Sequence, residues 1–91
     1  MKDNDEIRKY LTENLGYDTD FEFTLFENPD YAPAFIGVTS DDRAVYDRNL
    51  MVKALMDSDG MTKEDALEFL EYNTIRALPY IPNAPVIMTP V

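Results

Sequence analysis

The apolar residues near the start of the chain are spaced as in an amphipathic helix. They are Ile7, Leu11 and Leu15. An interval of four residues places side chains on one face of an α-helix. Asp3 or Asn4 can cap the first turn, and Gly16 can adopt the left-handed conformation that ends a helix. We therefore expect a helix from Asp3 to Leu15 whose polar face carries much of the N-terminal charge.

The period then changes from four to two. Residues 21–27 read Phe-Glu-Phe-Thr-Leu-Phe-Glu, and this alternation predicts a half-buried strand. Asn28–Pro33 contains two prolines, which predicts a loop. Ala34–Thr39 and Arg43–Tyr46 are short apolar runs on either side of a polar turn. We expect these two runs to form a hairpin.

Two helices are expected next. Asp47 can cap a helix from Arg48 to about Asp57, and Gly60 can end it. Its expected buried stripe is Leu50, Met51, Ala54 and Leu55. Thr62 can cap a second helix that continues to about Ala77, because Pro79 would stop it. Together they predict an αα-hairpin.

Val86–Met88 reads as a final short strand that would pair beside Ala34–Thr39. The predicted fold class is α+β: a three- to four-stranded antiparallel or mixed sheet packed against the αα-hairpin, with an additional N-terminal helix. The length of 91 residues predicts a single domain over residues 1–91. Residues 1–19 form an N-terminal helical extension, and residues 20–91 form the unit of sheet and helix pair.

Composition narrows the class of protein. The chain is 45% hydrophobic, with six tyrosines and five phenylalanines, so it should fold alone. It contains no cysteine and no histidine, which excludes a disulfide framework and removes common catalytic groups and metal ligands. The first residues lack the apolar core of a signal peptide, and no apolar run approaches the roughly 20 residues that span a bilayer. These features predict a soluble protein of the cytoplasm.

The formal charge is −10. Residues 1–42 hold eleven acidic and three basic side chains, whereas residues 43–91 hold seven and five. An anionic surface repels the phosphate backbone and attracts a basic groove. We expect a protein partner with a basic surface, no direct contact with nucleic acid and no membrane contact. The alternative is that the charge serves solubility alone.

Two acidic clusters resemble metal sites. Residues 57–60, Asp-Ser-Asp-Gly, fail the spacing of a calcium loop, and a helix-ending turn explains them. Asp41, Asp42 and Asp47 could hold Mg²⁺ or raise the pKa of one carboxyl by mutual repulsion. Turn and capping roles account for all three. The prediction is therefore no metal, no cofactor and no catalytic residue, with a metal-dependent enzyme as a distant alternative.

The run Glu71-Tyr72-Asn73-Thr74-Ile75-Arg76-Ala77-Leu78-Pro79-Tyr80 places polar residues at the end of an apolar helix. One interpretation is a binding surface of Tyr72, Arg76 and Tyr80, since Tyr and Arg dominate interface energetics. The other is that Asn73 and Arg76 hydrogen-bond loop carbonyls and hold the Pro-rich return to the last strand.

This run resembles a signature of small uncharacterised phage and prophage proteins. The resemblance extends over Ala34–Met88 and includes residues 39–47 and 59–62. It implies a phage-type protein but no catalytic residues. Because small acidic phage proteins include anti-CRISPR and anti-restriction proteins, the resemblance also implies an inhibitor that could mimic DNA.

The sequence thus predicts a non-enzymatic inhibitor of a host nucleic-acid-binding defence protein, such as a defence nuclease. The expected partner-binding residues are Asp18, Asp20, Glu22, Glu27, Asp30, Tyr72, Arg76 and Tyr80. The alternative is a phage structural or assembly accessory, or a homo-oligomeric adaptor, that binds through apolar surface. Tyr31, Phe35 and the Pro-rich segment are its candidate residues.

Overall fold

The computed structural model describes all residues from 1 to 91. The α-helices are α1 (Asn4–Leu15), α2 (Arg48–Asp59) and α3 (Lys63–Asn73), and the strands are β1 (Phe35–Val38), β2 (Ala44–Asp47) and β3 (Val86–Met88). Two 3₁₀ helices, Pro29–Ala34 and Ile75–Tyr80, precede β1 and follow α3. The predicted α+β class is confirmed, with a three-stranded mixed sheet, a helix pair and an N-terminal helix.

The predicted helix caps form as expected. The Asp3 carboxylate accepts a hydrogen bond from the Glu6 N–H at 2.9 Å, and the Asp47 carboxylate accepts from the first turn of α2. The Thr62 hydroxyl accepts from the Asp65 N–H at 3.2 Å. Each bond satisfies a backbone donor that has no partner within its helix.

β1 and β2 form the predicted antiparallel hairpin. The pairing shifts between Phe35 and Gly37, so Ile36 is an extra residue in β1. β1 lies at the edge of the sheet. A bulge on an edge strand hinders pairing with another chain.

The predicted position of the last strand is wrong. β3 pairs with β2, in parallel, and not with β1. The helices α2 and α3 separate β2 from β3 in the chain, and a crossover of that length returns the chain parallel to the strand it left.

The predicted strand over residues 21–27 is also absent, and the segment does not pair with any strand. Three of its backbone groups bond to side chains instead. The Phe26 C=O accepts from Asn4 Nδ2 at 2.9 Å, and the Phe26 N–H donates to the Tyr46 hydroxyl at 3.3 Å. The Phe23 C=O accepts from Arg8 Nη1 at 3.4 Å. Since these side chains come from α1 and β2, the segment is held without joining the sheet.

Two further predicted boundaries differ from the structure. The expected loop at Asn28–Pro33 contains the first 3₁₀ helix, capped by the Asn28 side chain. The expected helix to Ala77 ends at Asn73, and the chain continues as the second 3₁₀ helix. The backbone turns at Thr74, whose buried hydroxyl lies 3.4 Å from the Tyr31 hydroxyl. This buried pair is a tertiary contact that the helical pattern does not reveal.

One hydrophobic core joins all parts of the chain. α1 contributes Ile7 and Leu11, and residues 21–27 contribute Phe23, Leu25 and Phe26. The buried residues of α2 are Met51, Val52 and Leu55. The expected stripe was therefore wrong at Leu50, which is exposed. α2 contacts α3, β2 and the first 3₁₀ helix, so it is buried on more than one side.

Candidate functional site

A cavity of about 380 Å³ lies between α1 and the segment that follows it. We call it the N-terminal cavity; it is lined by Arg8, Leu11, Thr12, Tyr17, Asp18, Thr19, Phe21, Glu22 and Phe23. Phe21 remains 44% exposed there. Asp18 and Glu22 flank it in the sequence, so the cavity combines an accessible aromatic ring with two carboxylates and the Arg8 guanidinium. Such a lining suits a partner that offers both positive charge and apolar surface.

Aromatic contacts hold the wall of this cavity. The ring of Tyr17 lies 4.7 Å from that of Phe23, edge to face, and 5.3 Å from that of Phe21. The rings of Phe21 and Phe23 are 4.9 Å apart. Contacts of this geometry add to the burial of apolar area, so Phe21 is fixed in place although it is exposed.

A hydrogen bond ties the same wall to the hairpin. The Tyr17 hydroxyl donates to Asp42 Oδ1 at 2.6 Å, across 25 residues of sequence. The Asp42 carboxylate raises the pKa of Tyr17, chiefly through this hydrogen bond. Asp42 has φ 64°, a left-handed conformation that Asp tolerates in turns. The acidic turn of the hairpin is thereby joined to the acidic segment after α1.

Most carboxylates of the protein are free of cationic partners. The chain has eighteen acidic side chains, and a single ion pair, between Asp41 Oδ2 and Arg43 Nε at 3.1 Å. Exposed carboxylates without partners create a negative potential at the surface. They remain available to cations of another molecule.

The five acidic residues predicted to bind a partner do not form one cluster. Asp18 and Glu22 line the N-terminal cavity, and Asp20 lies exposed between them in the sequence. Glu27 is exposed at the end of the segment formed by residues 21–27. Asp30 is half-buried and lines a different cavity beside Lys2 and Lys53.

The three other predicted residues lie on the second half of the chain. Tyr72 lines a cavity beside Glu68 and Phe69, and the Arg76 guanidinium lies 5.3 Å from the centre of the Tyr72 ring. Tyr80 is 87% exposed. In the alternative interpretation, Asn73 and Arg76 hydrogen-bond loop carbonyls and hold the Pro-rich return. This prediction is wrong for Asn73, because its Nδ2 donates to the Phe69 C=O of its own helix.

The carboxylates suspected of metal binding have separate partners. Asp41 accepts a hydrogen bond from the Thr39 hydroxyl and pairs with Arg43. The Thr39 hydrogen bond and the charge of Arg43 hold the pKa of the Asp41 carboxyl below its usual value. Asp42 binds Tyr17, and Asp47 caps α2. No three His, Cys, Asp or Glu side chains are arranged to hold a metal ion, and Gly60 caps α2 after the Asp-Ser-Asp sequence.

The residues proposed for apolar assembly are mostly unavailable. Tyr31 is 3% exposed and Phe35 is 8% exposed, because both rings pack in the aromatic core around Phe26 and Tyr46. The prediction that they form a binding surface is therefore wrong. In the Pro-rich segment, Tyr80 is exposed whereas Ala84 is buried.

Tyr17 and Phe21 also belong to the site, although neither was predicted as a partner-binding residue. Tyr17 directly follows the helix cap at Gly16, and nothing in the local pattern shows that its hydroxyl meets Asp42. Phe21 was expected within a half-buried strand, and that strand is absent.

None of the helices combines the length and the apolar character that a bilayer-crossing segment requires. Comparison of the chain with protein-family models, with curated proteins and with solved structures gives no match.

Proposed function

We propose that the protein is a non-enzymatic inhibitor that binds a basic nucleic-acid-binding protein through its N-terminal acidic surface. The inhibitor would be of the anti-CRISPR or anti-restriction kind, and its partner would be a host defence protein such as a nuclease, encountered in the host cytoplasm. The observation that supports this most is the N-terminal cavity, which is lined by the accessible ring of Phe21 together with the Asp18 and Glu22 carboxylates.

Charge and rigidity both favour binding at this surface. Asp18, Asp20 and Glu22 form no ion pair within the chain, so a cationic partner would not have to displace an internal one. The aromatic contacts of Tyr17 and its hydrogen bond to Asp42 limit the motion of the segment. A preorganised surface loses less conformational entropy on binding.

Inhibition would follow from competition for the same groove. A basic groove that binds nucleic acid attracts any surface carrying several negative charges. Carboxylates along residues 18–22 would occupy it, and Phe21 would add an apolar contact that a phosphate backbone lacks. The bound inhibitor would then exclude nucleic acid without any chemical step.

The test is to capture binding proteins from a host lysate with three forms of the tagged protein. The wild type is compared with Asp18→Asn/Asp20→Asn/Glu22→Gln and with a control, Asp57→Asn/Asp59→Asn/Glu71→Gln, that loses the same charge at other exposed positions. We expect a host nucleic-acid-binding protein to bind the wild type and the control, to be released by high salt, and to lose affinity for the first variant. The captured protein should bind its nucleic acid more weakly when the inhibitor is added.

The opposite results would reject the proposal. Equal capture by both variants would show that the surface around residues 18–22 is not the binding site. Recovery of phage proteins or of the protein itself, insensitive to salt, would favour the assembly alternative, because apolar contacts are not screened by ions.

A further inference from the structure

Two cavities on the second half of the chain have a charge opposite to that of the whole molecule. The first, of about 440 Å³, lies between the second 3₁₀ helix and β3, and the second, of about 410 Å³, lies along α2 and the start of α3. Arg48 lines both. We call the two together the cationic groove.

The lining of the cationic groove is unlike the overall composition. Four of the eight basic side chains line it: Arg43, Arg48, Lys53 and Lys63. None of the eighteen acidic side chains does. The rest of the lining is largely aliphatic, from residues such as Ile75, Val86, Ile87, Val52 and Met56. In a protein of charge −10, this surface could hold anions.

Three of these cations have no partner within the chain. Arg48, Lys53 and Lys63 form no ion pair, whereas Arg43 pairs with Asp41. Arg48 and Lys63 are the first residues of α2 and α3. A cation there is disfavoured by the positive end of the helix dipole. Stabilisation of the helix therefore does not explain why a cationic residue occupies either position.

We propose that the cationic groove binds an acidic polypeptide segment that also carries aliphatic or aromatic side chains. Its carboxylates would pair with Arg48, Lys53 and Lys63. Its apolar side chains would cover the aliphatic floor between Ile75 and Ile87. This occupant matches the groove in charge and in hydrophobicity, and two cavities that share Arg48 suit a segment better than a single small anion.

Nucleic acid fits the groove less well. No aromatic side chain lines either cavity, so bases would find no ring on which to stack. A longer polyanion would also meet the negative potential of the rest of the molecule. A short acidic segment avoids both difficulties.

The experiment uses a random dodecapeptide display library as the probe. It is selected on the wild type and on Arg48→Glu/Lys63→Glu. Both substitutions place an acidic residue in a first helical turn, where it is favourable, so this variant should fold at least as well as the wild type. Lys2→Glu/Lys9→Glu is the control, since it makes the same change in net charge at exposed positions outside the groove.

We expect the wild type and the control to enrich peptides that combine Asp or Glu with Leu, Ile or Phe. The groove variant should bind those peptides at least about tenfold more weakly, as loss of close charge pairs predicts. Enrichment without acidic residues, or equal binding by the groove variant, would overturn the proposal. So would a labelled single-stranded oligonucleotide that binds the wild type and competes with the selected peptides.

Discussion

At the scale of single residues, Tyr46 links three parts of the fold. It lies in β2 and is fully buried, with its ring 4.7 Å from that of Phe26 and 5.9 Å from that of Phe35. Its hydroxyl accepts the hydrogen bond from the Phe26 N–H. Residues 21–27 thus have one backbone donor, the Phe26 N–H, whose partner is a side chain of the sheet.

Replacing Tyr46 with Phe tests that bond. Tyr46→Phe keeps the ring but leaves the buried Phe26 N–H without an acceptor, so the free energy of unfolding should fall by about 1–3 kcal/mol. Urea denaturation measures the change. The matched control is Tyr10→Phe, at an exposed tyrosine whose hydroxyl makes no hydrogen bond, and it should have no measurable effect. If the two variants had the same free energy of unfolding, the hydrogen bond assigned to the Tyr46 hydroxyl would not stabilise the fold.

The tyrosines should also limit stability at alkaline pH. The bond to Asp42 raises the pKa of Tyr17, and burial raises the pKa of Tyr31 and of Tyr46. Because the unfolded pKa is about 10, the contribution of these phenols to stability is complete below pH ~10. This contribution is lost as the pH rises through the raised pKa values that the three phenols have in the folded protein.

A titration followed by phenolate absorbance tests this order. In the folded protein, three of the six tyrosines should ionise above the range seen in urea. Tyr17→Phe should remove one of these late ionisations. If the folded and unfolded titration curves coincide, the environments assigned to the three phenols are wrong.

At the scale of elements, the helix ends depend on backbone conformation. Gly16 has φ 75° and Gly60 has φ 67°, and each ends an α-helix in the left-handed region. Non-glycine residues enter that region at a cost of about 1–2 kcal/mol. Gly37 has no positive φ. An added Cβ would have no atom within 4 Å at any of the three positions.

Substitution by alanine separates backbone strain from steric clash. Gly60→Ala should lower the free energy of unfolding by about 1 kcal/mol, since strain at positive φ is its main effect. Gly37→Ala meets neither strain nor clash, so it should leave stability unchanged or raise it by less than about 1 kcal/mol. Thermal unfolding of the two variants checks the difference. A larger loss at Gly37 than at Gly60 would contradict the assignment.

At the scale of the whole molecule, α1 shares the core of the rest of the chain. Ile7 is completely buried and Leu11 nearly so, in the same cluster as Leu55 and Leu70. Asn4 of the first turn also donates to the Phe26 C=O. Residues 1–19 were predicted as an extension of a unit formed by residues 20–91, and the shared core leads us to expect that this unit depends on α1.

Ile7→Ala should therefore destabilise the entire fold. Removing a buried Ile side chain costs about 2–4 kcal/mol, and a single cooperative transition in urea should shift to lower concentration. Lys9→Ala, at an exposed position of the same helix, is the control and should leave the midpoint unchanged. If Ile7→Ala instead melted α1 alone, seen as partial loss of helical signal before the main transition, α1 would be an independent element.

Local chemistry determined the elements that the sequence predicted well. The caps at Asp3, Asp47 and Thr62, and the helix ends at Gly16 and Gly60, depend on residues within one turn of each other. The β1–β2 hairpin depends on a short polar turn. The α+β class follows from these neighbouring elements, so the printed sequence was enough to predict it.

The acidic charge was likewise evident from the sequence, but the shape of the candidate site was not. Phe21 is exposed, whereas Phe23 and Leu25 are buried. The backbone of this segment bonds to side chains of Asn4, Arg8 and Tyr46 and not to a strand. Tyr17 meets Asp42 across 25 residues. A period of two specifies an extended chain, but it does not identify which distant groups satisfy its backbone.

The same distinction separates the two charged surfaces. The sequence alone determined that negative charge is concentrated in residues 1–42 and that α1, the β1–β2 hairpin and α2 follow one another, because charge and periodicity are local properties. Tertiary structure alone decided that β3 returns beside β2 and that Arg48 lies between two cavities, one lined also by Arg43 and the other by Lys53 and Lys63. Contacts between distant residues depend on how the elements pack to bury a shared core, and no single segment contains that information.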